Sequence, residues 1–106
     1  PGKCLPYFLN LENLKDINKK SIKDEDYDPS TIYIPESFLE KETPSMYQYW
    51  EFKKYNFDKI LLVKTGKFYE LFYDDAIIGN EVLKLRWMGK QPEKKLHVGF
   101  PEVSLN

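Results

Sequence analysis

Two short runs set apart by three residues constrain this chain most. Ile60–Lys64 is an apolar run of strand length, and Phe68–Tyr73 alternates as a second strand does. Thr65-Gly66-Lys67 between them supplies the glycine of a tight turn, so a sheet has to be part of the fold. Extended, the second run sets Phe68, Glu70 and Phe72 on one face and Tyr69, Leu71 and Tyr73 on the other. That parity puts a carboxylate among phenylalanines. Either this face is not fully buried, or Glu70 is placed for a partner.

The flanks read as helices and further strands. Thr43-Pro44 gives an N-cap hydroxyl followed by proline at the first helical position. Met46, Tyr49, Trp50 and Phe57 then recur at helical spacing, Lys53 and Lys54 fall toward the other side, and Asn56 and Asp58 bound the helix. Asp74-Asp75 is expected to cap a helix from Ala76 to about Leu83. Leu85–Met88 and Leu96–Phe100 suggest two more strands around a Lys-rich loop, Gly89–Lys95. The order α-β-β-α-β-β predicts an α/β domain over 43–106, with a mixed sheet flanked by helices. Residues 1–42 read as an extended, partly irregular arm. It is expected to hold a short helix near Asn10–Lys19, an extended Thr31–Pro35 and a helical turn through Glu40.

At 106 residues there is room for one modest core, or for a piece of something larger, and the start at Pro1 reads as an excised piece. With 31% charged and 16% aromatic residues, the chain is too polar for a membrane span and too aromatic for a disordered tail. Cys4 has no partner cysteine, and with His97 it falls well short of a zinc ligand set, so a reducing compartment is expected. The net charge of −1 points away from nucleic acid, yet it is an average. Residues 1–42 carry six Lys against nine acids, about −3, and residues 43–106 carry ten Lys or Arg against eight acids, about +2.

Catalytic chemistry finds little support. A phosphate loop through Gly66-Lys67 would need glycine where Leu61 stands and a hydroxyl where Phe68 stands. Asp74 and Asp75 are adjacent at a helix start, so their side chains diverge, and nothing pairs a nucleophile with a base. His97, between Leu96 and Val98, reads as a strand residue facing a loop. Neither a catalytic nor a metal site is expected.

Gly66-Lys67-Phe68-Tyr69-Glu70-Leu71-Phe72 resembles the mismatch-reading motif of the MutS family, Gly-(Asp/Lys)-Phe-Tyr-Glu-Leu. Other blocks follow in compatible order: Tyr27-Asp28-Pro29-Ser30-Thr31-Ile32-Tyr33-Ile34-Pro35, Tyr49-Trp50-Glu51-Phe52-Lys53, Asp75-Ala76 and Gly99-Phe100-Pro101-Glu102. Lys67, the Tyr-Asp-Pro arm and the Gly-Phe-Pro-Glu ending are similar to the eukaryotic homologue-6 branch of that family. The resemblance covers about Tyr27 to Glu102.

It implies a MutS domain I fold, cut short because the family domain runs on past Glu102 into another helix and strand. It also implies that Phe68 enters the minor groove at a mispair and stacks on one base, while Glu70 hydrogen-bonds that base. Lys67 and Met88 become possible DNA contacts. Lys90, Lys94 and Lys95 are either phosphate contacts or part of a solvated loop that is longer than the family's. Trp87 is either core, the favoured reading, or a contact; Tyr69, Leu71 and Phe72 are assigned to packing, and Tyr49 and Trp50 to the buried face of their helix. The partners implied are mispaired duplex DNA and a second MutS homologue, in the nucleus. ATP and magnesium belong to a distant domain of the full-length protein, with no cofactor here. A protein-interaction module without DNA contact is the alternative reading.

Overall fold

The computed structural model describes residues 5–88 and 97–101. They fall into two compact units, Pro6–Lys59 and, together with Leu5, the residues from Ile60 onward.

The first unit has little regular structure. Helix α1 spans Glu36–Leu39 and α2 spans Pro44–Lys53. The start of α2 follows from its sequence: Thr43 Oγ1 accepts from Met46 N at 3.3 Å, and Pro44 occupies the first turn, where a missing N–H costs nothing. Its buried face is Met46, Tyr49, Trp50 and Lys53. Lys53 is thus buried, against the expectation that it lies on the outer side. Its ammonium donates to the carbonyl of Lys59 and sits 5.6 Å above the Phe57 ring, partners that offset the cost of burying the charge. Around Trp50 the rings of Phe8, Phe38 and Tyr49 pack edge-on at 5.2–5.9 Å, and the indole N–H donates to Glu42.

The helix expected near Asn10–Lys19 does not form. Two 3-10 turns, Tyr7–Leu9 and Leu11–Asn13, lead instead into a loop built around Asp16. Fully buried, Asp16 accepts 2.9 Å bonds from the backbone N–H of Asn18, Lys20 and Asp28. A side chain that captures backbone donors in this way competes directly with a helix. Burial pushes the Asp16 carboxyl up, but those three amides and the Lys20 charge outweigh it and hold the group below the usual carboxylate range. Burial, and then the carboxylates of Asp16 and Asp28, push the nearby Tyr27 phenol up. Thr31–Pro35 is extended as expected, held by Ile32 N to Lys54 O and Tyr33 N to Lys15 O.

The second unit is a four-stranded sheet with one helix. The strands are β1 (Val63–Thr65), β2 (Phe68–Phe72), β3 (Arg86–Trp87) and β4 (His97–Pro101), in the order β1-β2-β4-β3. Helix α3 (Tyr73–Leu83) joins β2 to β3. The expected α/β class and element order hold, but every pairing among the described residues is antiparallel rather than mixed. Leu71 and Val98 face Ala76 of α3, with Leu85, Trp87 and Phe100 packed around them. Strand β2 ends one residue early, because Tyr73 turns to φ 53° and opens α3 directly. Asp74 and Asp75 therefore do not cap the helix. They lie in its first turn, still favourable to its dipole, and Asp75 accepts from Leu61 N at 3.0 Å.

Candidate functional site

The opposite face of this sheet carries the residues singled out from sequence. Register sets their order. Across the strands, Val63, Glu70, Gly99 and Arg86 form one row, and Thr65, Phe68 and Pro101 form another. Phe72 pairs with His97, whose carbonyl accepts from Met88 N at 2.9 Å.

Gly66 brings the chain into this face. It has φ 62° while Lys67 is not left-handed, the pattern of a two-residue turn with glycine first. That turn sets Phe68 at the very start of β2. Its ring is 43% exposed, far more than a core phenylalanine. Lys67, beside it, is exposed as well.

Glu70 behaves differently. The sequence placed it on the same face as Phe68, and it is, but it is buried rather than presented. One oxygen, Oε1, lies 2.9 Å from Nδ1 of His97, and among the described residues no hydrogen bond is made by Oε2. An ionised carboxylate only accepts, so with Glu70 charged the imidazole proton sits on Nδ1. The His97 ring stacks on Phe72 at 5.7 Å and 13°, which holds the imidazole edge toward the carboxylate. His97 thus faces Glu70, not a loop. Gly99 completes the arrangement: an added Cβ would lie 2.7 Å from the Tyr69 carbonyl oxygen, 2.8 Å from Met88 Sδ and 3.4 Å from Glu70 Cγ. A side chain at this position would clash with the Tyr69 carbonyl oxygen and the Met88 sulfur.

Sequence reading missed His97 and the function of Gly99. The signal for both is the β2–β4 register, which residue types alone do not disclose. The other assignments fall where packing needs them. Tyr69 stacks on Phe100 at 5.6 Å, Leu71 is core, Trp87 is half-buried against the core, and Met88 is half-buried beside Gly99. Lys90, Lys94 and Lys95 lie outside the described residues. Among the described residues, no group of three His, Cys, Asp or Glu side chains could hold a metal ion. Nor is any helix there long and apolar enough to cross a membrane.

Residues 43–106 match the family MutS domain I. The chain belongs to the MutS family. It is similar to DNA mismatch repair protein MSH6 of Arabidopsis thaliana, 44% identical over 100 residues that take in 93% of this chain and 7% of that protein. To human DNA mismatch repair protein Msh6 it is 40% identical over 97 residues, 92% of this chain and 7% of that protein. The DNA mismatch repair protein MutS of Aquifex pyrophilus is 44% identical over 72 residues, 63% of this chain and 8% of that protein. The MutS chain described here therefore spans 7–8% of the length of these relatives. Coverage above nine-tenths takes in most of the arm as well as domain I, and only the eukaryotic relatives of these three reach it.

Proposed function

We propose that this chain is the mismatch-reading part of a DNA mismatch repair protein, with Phe68 as a wedge entering the minor groove and Glu70 as the group that meets the base. The observation carrying this reading is the exposed Phe68 ring, set out by the Gly66 turn on the face that also bears Glu70. Exposure alone does not single out Phe68, since Phe52 is 59% exposed; its place at the turn beside Glu70 within the motif does.

The residue types suit the task. An apolar wedge partly unstacks a base step and kinks the duplex, which costs about a few kcal/mol, least where pairing is already faulty. Stacking of a base on the ring returns about 1–3 kcal/mol. Discrimination then comes from how readily the duplex deforms rather than from its sequence. Lys67 beside the wedge and Met88 beside Gly99 are further contacts on this reading, and the mild positive balance of residues 43–106 suits a duplex partner. The alternative, a protein-interaction module, is favoured by a Phe68 ring sealed in the core, and this ring is open.

On this reading the partners are mispaired duplex DNA and a second MutS homologue, the setting is the nucleus, and ATP and magnesium act in parts of the full-length protein outside this segment. The test is Phe68→Ala in the full-length protein assembled with its partner subunit. Preference for a mispaired over a perfect duplex is expected to fall by about 5–150-fold, the equivalent of the stacking term. Retention of the wild-type preference overturns the wedge assignment.

A further inference from the structure

Reading a mispair by deformation requires a hold on the backbone while the ring works in the groove. Stacking supplies discrimination, whereas contacts to phosphates supply grip and fix position. Among the described strand residues, register puts one permanent cation on the face that bears Phe68 and Glu70. Arg86 of β3 pairs with Gly99 of β4, and Gly99 pairs with Glu70 of β2, so the three share a row and a face. We propose that Arg86 grips a backbone phosphate of the duplex beside the step that Phe68 opens. This rests on the reading of Phe68 and Glu70 given above.

Distance decides which part of a duplex this cation meets. From Phe68 to Arg86 is two residues along β2 and two strand spacings across, roughly 12 Å between backbones. The minor groove is about 6 Å wide, so with the ring in the groove Arg86 stands beyond its wall, over the sugar–phosphate chain. β3 is an edge strand and Arg86 is exposed, which lets the guanidinium lean outward from the sheet margin. Its planar fork suits two phosphate oxygens at once. Trp87, the next residue, packs with Leu71 and Val98 on the α3 side, and that fixes the face Arg86 takes.

Glu70 does not consume this charge. Between the two lies Gly99, with Met88 Sδ over it, and the hydrogen-bond partner of Glu70 among the described residues is His97. The other described cations of this unit lie elsewhere. Lys64 pairs with Tyr69 on the α3 side, its ammonium 6.0 Å from that ring. Lys84 ends α3 and donates to the Glu81 carbonyl. Lys67 precedes Phe68 in the turn, while Arg86 is level with Glu70, two residues past it, so the two cations flank the ring from opposite directions along β2.

The experiment measures affinity for mispaired and perfect duplexes between about 50 and 200 mM salt. It uses the full-length protein assembled with its partner subunit, as wild type, Arg86→Gln, Arg86→Lys and Phe68→Ala. One phosphate contact adds about 0.9 to the fall of log affinity with log salt. Across that range wild type should therefore lose about three to four times more affinity for the mispaired duplex than Arg86→Gln loses. Arg86→Lys keeps the charge and should keep the slope. A merely structural role for Arg86 would leave the slope unchanged on substitution. Equal slopes in wild type and Arg86→Gln overturn the proposal, as does an Arg86→Lys slope as shallow as that of Arg86→Gln. The wedge reading fails separately, through undiminished mispair preference in Phe68→Ala, whatever the slopes show.

Discussion

In Pro6–Lys59 the buried carboxylate of Asp16 is filled by three backbone N–H groups, whereas in the sheet unit the buried carboxylate of Glu70 is met by one imidazole. Phe8, Phe38, Tyr49 and Trp50 pack edge to face in the first unit, where Phe52 is 59% exposed, and in the second Phe68 is 43% exposed at the start of β2. A fully satisfied acid is architecture. Glu70 is met at one oxygen only among the described residues, and its other oxygen is left for a partner on the proposed reading.

The largest effect should come from emptying the aromatic cluster. Trp50→Ala is expected to cost about 3–5 kcal/mol in urea unfolding, with hydrogen-exchange protection lost first at Ile32 and Leu39. Equal early loss at Leu71 and Val98 would break the contrast between the units. Asp16→Asn sharpens it. Because the folded carboxyl is held below its unfolded value of about 3.9, its contribution is fully present above that value and lost as pH falls through the folded one. The wild-type urea midpoint should drop more steeply than that of Asp16→Asn between about pH 4 and 2. Gly99→Ala drives a Cβ into the Tyr69 carbonyl and Met88 Sδ, and should cost about 1–3 kcal/mol. Phe68→Ala should change stability by less than about 1 kcal/mol, although its effect on mismatch preference is large. Smallest and opposite in sign is Lys84→Gly. Lys84 ends α3 at φ 60°, and glycine there should stabilise by about 0.5–1 kcal/mol in the same assay.

Local chemistry was readable from the sequence wherever a residue's job is done by its neighbours. Thr43-Pro44 starts α2, Gly66 turns the chain between β1 and β2, and the alternation from Phe68 to Phe72 is a strand. Reading failed where a distant group decides. Asp16 takes the N–H of Asp28, twelve residues on, and the 10–19 helix is lost to it. Lys53 is buried because a carbonyl beyond the helix end accepts its proton. Asp75 turns from capping to hold Leu61. At the site, Phe68 and Glu70 stood out through their motif, but His97, which meets Glu70, lies twenty-seven residues away and is brought in by strand register.

Strand β2 is an inner strand, with Thr65 opposite Phe68 on one side and Pro101 on the other. On the proposed reading, force on that ring passes into two ladders at once, and the strand cannot bend aside as an edge strand could. A device that compares the softness of two duplexes must itself be the stiffest part of the contact. Seating the probe in the middle of the sheet, one residue from a tight turn, lets the DNA do the yielding.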